Sequence, residues 1–291
     1  MSTLVVTGAN ESYATLAADL VASLADHRTA LKLHVAILDL GLELATRNAL
    51  AGTVDHLVAP KWMFAPHPKF DTGARYLSRA VRPFLPEIVP GYATYIWLDA
   101  DVWVQHRLGL EWLIDAARGV DLAAVPTMHR SYTFGAHDIG WLHQRYVMAF
   151  GAGLANELIH QPYFNSGVMA ARAGSPLWRA FAERFQRALD RWDGDFLSDQ
   201  AVLNAVIAMD GLNVNRLPAR VNWLCHLAPP IWNEKMKTLV EPAMPFDPLL
   251  IVHNTYDDKR KERPIRTFAG QPRMTQLTRS AIQQLAYSDS Q

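Results

Sequence analysis

The sequence predicts an α/β fold: a mostly parallel, Rossmann-like central sheet flanked by helices, with an Asp-x-Asp pair at a strand end. Two observations carry this expectation. Short apolar runs alternate with helix-like segments through the first third of the chain, the pattern of a parallel sheet covered on both faces. One apolar run, Tyr95-Ile96-Trp97-Leu98, opens onto two carboxylates spaced i, i+2, Asp99 and Asp101. An unpaired charge inside a strand is costly, so the pair belongs where the strand ends in a cleft. Open α/β sheets bind their ligands at that end of the strands.

In chain order, Leu4-Val5-Val6-Thr7 reads as the first strand and Gly8 to Ser12 as a turn. Ser12 is the expected cap of a helix over 13–24, with Leu16, Leu20 and Leu24 on one face. A second strand covers 33–38 with Asp39 at its end, a helix covers 43–50, and a third strand covers 54–58. Residues 60–68, rich in Pro and aromatics, read as loop. A helix over 73–84 sets Arg75, Arg79 and Arg82 roughly on one face and is limited by Pro83 and Pro86. After the fourth strand, 95–98, come a helix over 110–117 and a strand over 122–125.

Residues 128–160 show no clear period. They hold His129, His137, His143 and His160, which fit a surface or lid better than a second metal site, and they predict a mobile lid or an acceptor-binding insertion. Asn165-Ser166-Gly167 reads as a turn leading into a strand to Ala171. Amphipathic helices follow over 177–192 and 199–209, where Asp199 can serve as an N-cap. Beyond Arg216 the pattern weakens into Pro-rich loops, ending in a helical stretch over 274–286. With no repeat or linker, the expectation is one domain over 1–291, with a basic C-terminal tail over 260–291.

Composition narrows the class. The 291 residues are 50% hydrophobic and 19% charged, which describes a globular chain with a substantial core. A formal net charge of zero gives no support to a nucleic-acid partner. The nine Trp fit a core first and a carbohydrate site second. Cys225 is the single cysteine, which excludes an intrachain disulfide and a cysteine-built zinc site. The start lacks the pattern of a signal peptide, and no long uncharged apolar run occurs, so a cytoplasmic protein is the expectation. The basic run Lys259-Arg260-Lys261-Glu262-Arg263 to Arg266 reads first as solvated surface. Its alternative is a peripheral contact with anionic lipid at the inner membrane face, should the acceptor be lipid-linked.

Asp-x-Asp alone is a weak signal; its ordered companions make it specific. Val6-Thr7-Gly8-Ala9-Asn10-Glu11-Ser12-Tyr13, Arg82, Leu98-Asp99-Ala100-Asp101, Tyr163-Phe164-Asn165-Ser166-Gly167-Val168, Ser198-Asp199-Gln200-Ala201-Val202-Leu203-Asn204, Val221-Asn222-Trp223, and His253 with Lys259 follow one another along the chain. Together they resemble glycosyltransferase family 8 of the GT-A fold, the family of glycogenin-like enzymes and bacterial lipopolysaccharide galactosyl- and glucosyltransferases. The resemblance runs from about Leu4 to Lys259. It implies a UDP-sugar donor, with Thr7, Asn10 and Tyr13 at the nucleotide, and Arg82 and Asn165 on the donor. It implies Asp99, Asp101 and His253 as ligands of a divalent cation, Mn2+ or Mg2+, and Lys259 on the diphosphate. Transfer would retain anomeric configuration, with Gln200 near the anomeric carbon and Asp199 and Asn165 positioning sugar hydroxyls. The acceptor would be a glycan or a lipid-linked glycan. Four positions depart from the family pattern: Tyr256 stands where a Gly is usual, Arg260 and Lys261 replace Pro-Trp, and Ala201 replaces a frequent acid.

The residue types suit that chemistry. A diphosphate leaving group gains charge as the glycosidic bond breaks, and a divalent cation with Lys and Arg stabilises it. Two Asp and one His form a mixed oxygen and nitrogen set, more typical of manganese than of magnesium. Whether Gln200 acts as a transient nucleophile or stabilises a front-face transfer stays open at this stage. Two other functions compete: a haloacid dehalogenase-type phosphohydrolase with Asp99 as nucleophile, and a non-catalytic nucleotide-sugar-binding protein. Against the first, Trp103 fills a place where a small hydroxyl or aliphatic residue is usual, and the pair lies far from the N-terminus.

Overall fold

A computed structural model describes residues 2–65, 74–191 and 197–289. The strands are β1 (Thr3–Ala9), β2 (Leu33–Asp39), β3 (His56–Val58), β4 (Thr94–Leu98), β5 (Val102–Val104), β6 (Leu122–Pro126) and β7 (Phe164–Arg172). The short strands β8 (Val214–Arg216), β9 (Trp223–Leu224), β10 (Ile231–Asn233), β11 (Thr238–Val240), β12 (Ile251–His253), β13 (Arg263–Thr267) and β14 (Arg273–Thr275) follow. The helices are α1 (Ala14–Ala25), α2 (Arg28–Leu31), α3 (Leu44–Ala51), α4 (Ala74–Ala80), α5 (Leu85–Ile88), α6 (Leu108–Ala116), α7 (Ala136–Phe150), α8 (Ala152–Leu158), α9 (Pro176–Asp190), α10 (Asp199–Met209) and α11 (Arg279–Ser288).

The central sheet runs β3-β2-β1-β4-β7-β6-β8. The β3-β2-β1-β4 half is parallel, and β7 is antiparallel to both neighbours. Side chains alternate between two cores, as the pleat requires. Leu4, Val6, Tyr95 and Trp97 face the layer of α9 and α10, whereas Val5, Ile96 and Leu98 face the layer of α1 and α6. With both faces buried, the strands read as continuous apolar runs. A second sheet, β5-β12-β9, and a third, β11-β10-β13-β14, occupy the C-terminal part.

Several local expectations change. Ser12 does not cap α1: a 3-10 turn, Glu11–Tyr13, leads into the helix, and its cap is Asn10, whose side chain accepts from the Tyr13 N–H. The expected helix over 73–84 is α4, a 3-10 turn Arg82–Phe84 and α5, and its first residue lies outside the described residues. Pro83 and Pro86 sit in first-turn positions, where the missing N–H costs nothing, so they start the new segments. Asn165, Ser166 and Gly167 are not a turn; they lie inside β7 between β4 and β6. The unpatterned 128–160 stretch is largely the helix pair α7–α8. It buries only Tyr146, Ala149, Ala155 and Leu158, too thin a stripe to show a helical period. The C-terminal stretch is no tail: it forms β13, β14 and α11, and Ser280 docks on Asp19 of α1.

Candidate active site

Asp99 and Asp101 occupy the turn between β4 and β5. The Asp99 N–H donates to the Gly167 carbonyl at 2.8 Å, and the Val102 N–H closes the turn on the Asp99 carbonyl at 3.0 Å. β12 then pairs antiparallel with β5, setting His253 opposite Val102. That register brings a residue distant in sequence to the carboxylates. His253 Nε2 is 3.3 Å from Asp101 Oδ1 and 4.0 Å from Asp99 Oδ2. One ligand atom from each of the three residues lies within 4.8 Å of the others.

The chemistry of this set fits a divalent cation. Asn222 Nδ2 donates to Asn165 Oδ1 at 3.0 Å, so Asn222 Oδ1, 2.8 Å from His253 Nδ1, must accept the imidazole N–H. The Nε2 lone pair is left facing the carboxylates, the arrangement usual for a metal-ligating histidine. Burial pushes the Asp101 carboxyl up, but His253, when its ring carries a second proton on Nε2, and the Lys259 ammonium outweigh it and hold the group below the usual carboxylate range. The Lys259 ammonium is 2.7 Å from Asp101 Oδ2, so a cation already stands against the pair. A β-carbon on Gly167 would lie 2.4 Å from His253 Cε1 and 2.7 Å from Asp99 Oδ2; the cluster closes over backbone that only glycine leaves clear.

Arg82 is the second organising group. It is buried, with its guanidinium 2.5 Å from Asp99 Oδ1, paired with Asp199, and 2.6 Å from Ser166 Oγ. It also lies 4.7 Å above the Trp97 ring, whose Nε1–H donates to the same Asp99 oxygen at 2.7 Å. Arg82 therefore ties the β4 end to the first turn of α10, where Ser198 is the N-cap and Asp199 the first helical residue.

Amides continue the network. Asn165 Nδ2 donates to Gln200 Oε1 at 2.9 Å, as does the Ser166 N–H, and Gln200 Nε2 donates to the Tyr163 hydroxyl. Burial raises the Tyr163 phenol far above its usual value, so that hydroxyl stays neutral. One directional series thus joins His253, Asn222, Asn165, Gln200 and Tyr163, each donating to the next. Such series stiffen their members and reinforce one another.

Two cavities meet at Asp99 and Asp101. The first, about 420 Å³, is lined by Gly8, Asn10, Tyr13, Leu40, Ser78, Arg79, Arg82, Trp97 and Asp199 besides the pair. The second, about 470 Å³, runs from the pair past Asn165, Gln200, Tyr163, His253 and Lys259 to α7 and to residues 224–227. Asn10, Tyr13, Arg82, Asp99, Asp101, Asn165, Asp199, Gln200, His253 and Lys259 are therefore gathered around one opening. Thr7 is not: it is buried in β1 and does not line the first cavity.

The departures have physical accounts. Tyr256 does not need the left-handed backbone that favours glycine; its ring packs against the apolar cluster around Trp103, Trp223 and Trp232, with Arg263 4.1 Å above it. Arg260 reaches back to the Ser12 carbonyl at 2.5 Å, tying this loop to the α1 entry. Ala201 is buried against Tyr146, Ala155 and Leu158, where α7 and α8 leave no room for a solvated acid. Trp97, Ser166, Gly167 and Asn222 join the site through contacts that strand spacing does not reveal. The Asn-aromatic element at Asn222 and the motif containing Ser166 and Gly167 are the signals that mark three of them.

With this geometry in view, the comparisons are consistent. A family model described as glycosyl transferase family 8 matches residues 4–243. No curated protein matches. Among solved structures, the chain is similar to the galactosyltransferase LgtC in complex with donor and acceptor sugar analogues, at 19% identity over 86% of each chain with a TM-score of 0.51. It is also similar to an active-site mutant of LgtC, at 18% identity over 89% of this chain and 88% of that one, TM-score 0.53. The bifunctional glycosyltransferase WbbM in its apo form is 16% identical over 80% of this chain and 39% of its own, TM-score 0.51. These likenesses give the fold, GT-A, and neither comparison supports the phosphohydrolase alternative. The chain belongs to glycosyl transferase family 8 and is a glycosyltransferase.

Proposed function

We propose that the chain is a metal-dependent, retaining glycosyltransferase moving a hexose from a UDP-sugar to a hydroxyl group of a glycan, lipopolysaccharide or other acceptor. The observation that carries this reading is the Asp99, Asp101 and His253 set, with its ligand atoms within 4.8 Å of one another at the junction of two cavities. In it, these three residues hold Mn2+ or Mg2+, which when bound supplies positive charge for the diphosphate leaving group. Asn10 and Tyr13 take the uridine side of the first cavity, which Thr7 does not reach. Lys259 moves from Asp101 to a phosphate oxygen as the donor enters. Arg82 holds Asp99 and Asp199 in place and adds charge on the donor side.

Asn165 and Asp199 orient sugar hydroxyls, and Gln200 stands nearest the anomeric carbon. Its Oε1 already accepts two hydrogen bonds, which lowers its nucleophilicity, so this geometry favours stabilisation of a front-face transfer over covalent attack. The proposal treats 1–291 as one catalytic unit, with the α7–α8 pair as the acceptor-side insertion. No helix among the described residues is long and apolar enough to cross a membrane. A cytoplasmic location with peripheral lipid contact belongs to the proposal. Lys259 pairs with Asp101 and Arg263 lies over Tyr256, whereas Arg260, Lys261 and Arg266 are exposed, which makes the lipid-facing surface thinner than the basic run suggests.

A thermal-shift screen of UDP-sugars with manganese and with EDTA tests the reading. At least one UDP-sugar is expected to raise the melting temperature in manganese and to lose most of that effect in EDTA. Its turnover should release UDP and give a product of retained anomeric configuration by NMR. A donor that binds with no UDP formed under any acceptor would make the chain a nucleotide-sugar-binding protein.

A further inference from the structure

The second cavity changes character along its length. At its inner end the lining groups are the carboxylates, amides and imidazole already described. At its outer end they are Phe134, Ile139, Trp141, Leu142, Leu224 and Leu227. Phe134, Ile139 and Trp141 are 42%, 51% and 40% exposed, so these large apolar groups stand open to water in one place. Clustered apolar exposure of this kind marks a binding surface more than scattered single residues do. Arg145 lies 5.1 Å over one face of the Trp141 ring, which fixes that ring.

The polar groups near this wall are few. Asp138 spends Oδ2 on the Gly135 N–H at 2.8 Å, and His226 shares Nδ1 with Thr255 Oγ1 at 2.5 Å. Thr127 Oγ1 is buried, lines the same cavity and has no hydrogen-bond partner among the described residues. These groups, with Asn165 and Gln200, can satisfy the hydroxyls of one sugar ring at the inner end. A second ring spread over Ile139, Leu142 and Leu227 would lie on apolar surface, where each sugar hydroxyl desolvated without a partner costs free energy.

We infer that the acceptor is a glycoside, or another hydroxyl compound, that carries an apolar aglycone: the hydroxyl-bearing part lies against Asn165, Gln200 and Thr127, and the apolar part against Phe134, Ile139, Trp141 and Leu142. The inference rests on the transferase reading above and names the acceptor class for that site. The continuity of the cavity supports it, since a guest on the apolar wall also reaches the groups where transfer occurs.

Calorimetric titration tests it with matched pairs: octyl and methyl β-D-glucoside, and octyl and methyl β-D-galactoside. Each is titrated below its micelle concentration into the full chain with UDP and manganese. Each buried methylene is worth about fourfold in affinity, so at least one octyl glycoside should bind about tenfold or more tighter than its methyl partner. Ile139→Ser and Trp141→Ser should each cut that ratio at least about threefold. UDP affinity, titrated separately, reports whether each variant is folded and whether the donor reading stands. If UDP binding in manganese is normal while the octyl and methyl forms bind alike, or while neither variant changes the ratio, the inference is overturned and the transferase reading survives. Failure of UDP to bind strikes the transferase reading instead, and the ratio is then read without UDP. Capture of the wild-type chain by neutral phosphatidylcholine vesicles, lost in Trp141→Ser and accompanied by equal octyl and methyl affinities, would also overturn it.

Discussion

The 420 Å³ cavity on the β1 side of Asp99 and Asp101 and the 470 Å³ cavity on the α7 side share those two carboxylates and little else. The first is walled by strand ends and by charged groups held in fixed pairs, Arg82 with Asp99 and Asp199 above all. The second begins with the same kind of wall and ends on Phe134 and α7, where Phe134, Ile139 and Trp141 face water and Leu224 and Leu227 are buried. The difference is one of construction. Charged groups at the sheet edge are held by ion pairs and backbone hydrogen bonds that leave few alternative arrangements. The outer wall is held by packing of a helix pair that buries few side chains, so its surface can be changed without disturbing the sheet.

Substitutions on the two sides should therefore differ in kind. The largest effect is expected for Arg82→Met, which leaves buried Asp199 and half-buried Asp99 without their shared ionic partner. It should cost about 3–5 kcal/mol of unfolding free energy in a denaturant titration, and replacing Asp199 by Asn in the same chain should return part of that loss. A cost under about 1 kcal/mol would mean the two acids are not tied through Arg82.

Gln200→Ala comes next. Turnover should fall on the order of 100-fold with UDP affinity in manganese unchanged, the pattern of a group acting on the transition state. Equal loss of turnover and affinity would make Gln200 a binding group alone. Asn222→Ala should weaken manganese binding about 10–100-fold by freeing the His253 ring, with UDP affinity in EDTA untouched. Manganese affinity equal to wild type would remove Asn222 from the site's support. The smallest effect is expected across the junction. Trp141→Ser should change stability by less than about 0.5 kcal/mol and leave UDP affinity as it was, because its side chain does not line the first cavity and stands partly in water. A loss of UDP affinity there would show that the two cavities are coupled.

The same contrast explains what could be read from sequence. The cluster at the β4 end was legible because acids there break an apolar run and belong to an ordered series of motifs. Asp99 and Asp101 interrupt an apolar strand, and His253 and Lys259 close the series. The strands and helices of the parallel half were legible for a related reason, as their buried faces leave long apolar runs. The α7–α8 pair was not, since four buried residues spread over two helices leave no period. Nor was the place of Asn165 inside β7, because Asn, Ser and Gly are turn formers by composition and enter a strand here only through pairing with β4 and β6. The amide series from His253 to Tyr163 depends on rotamers and register that no spacing encodes.

The central claim is that Asp99, Asp101 and His253 hold a divalent cation that carries the donor's diphosphate. The most direct test is calorimetric titration of UDP into the wild-type chain and into Asp101→Ala, each in manganese and in EDTA. The account predicts that manganese strengthens UDP binding to the wild type at least about 100-fold, and that Asp101→Ala binds UDP equally weakly in both buffers. UDP affinity in manganese that is unchanged by Asp101→Ala would contradict it.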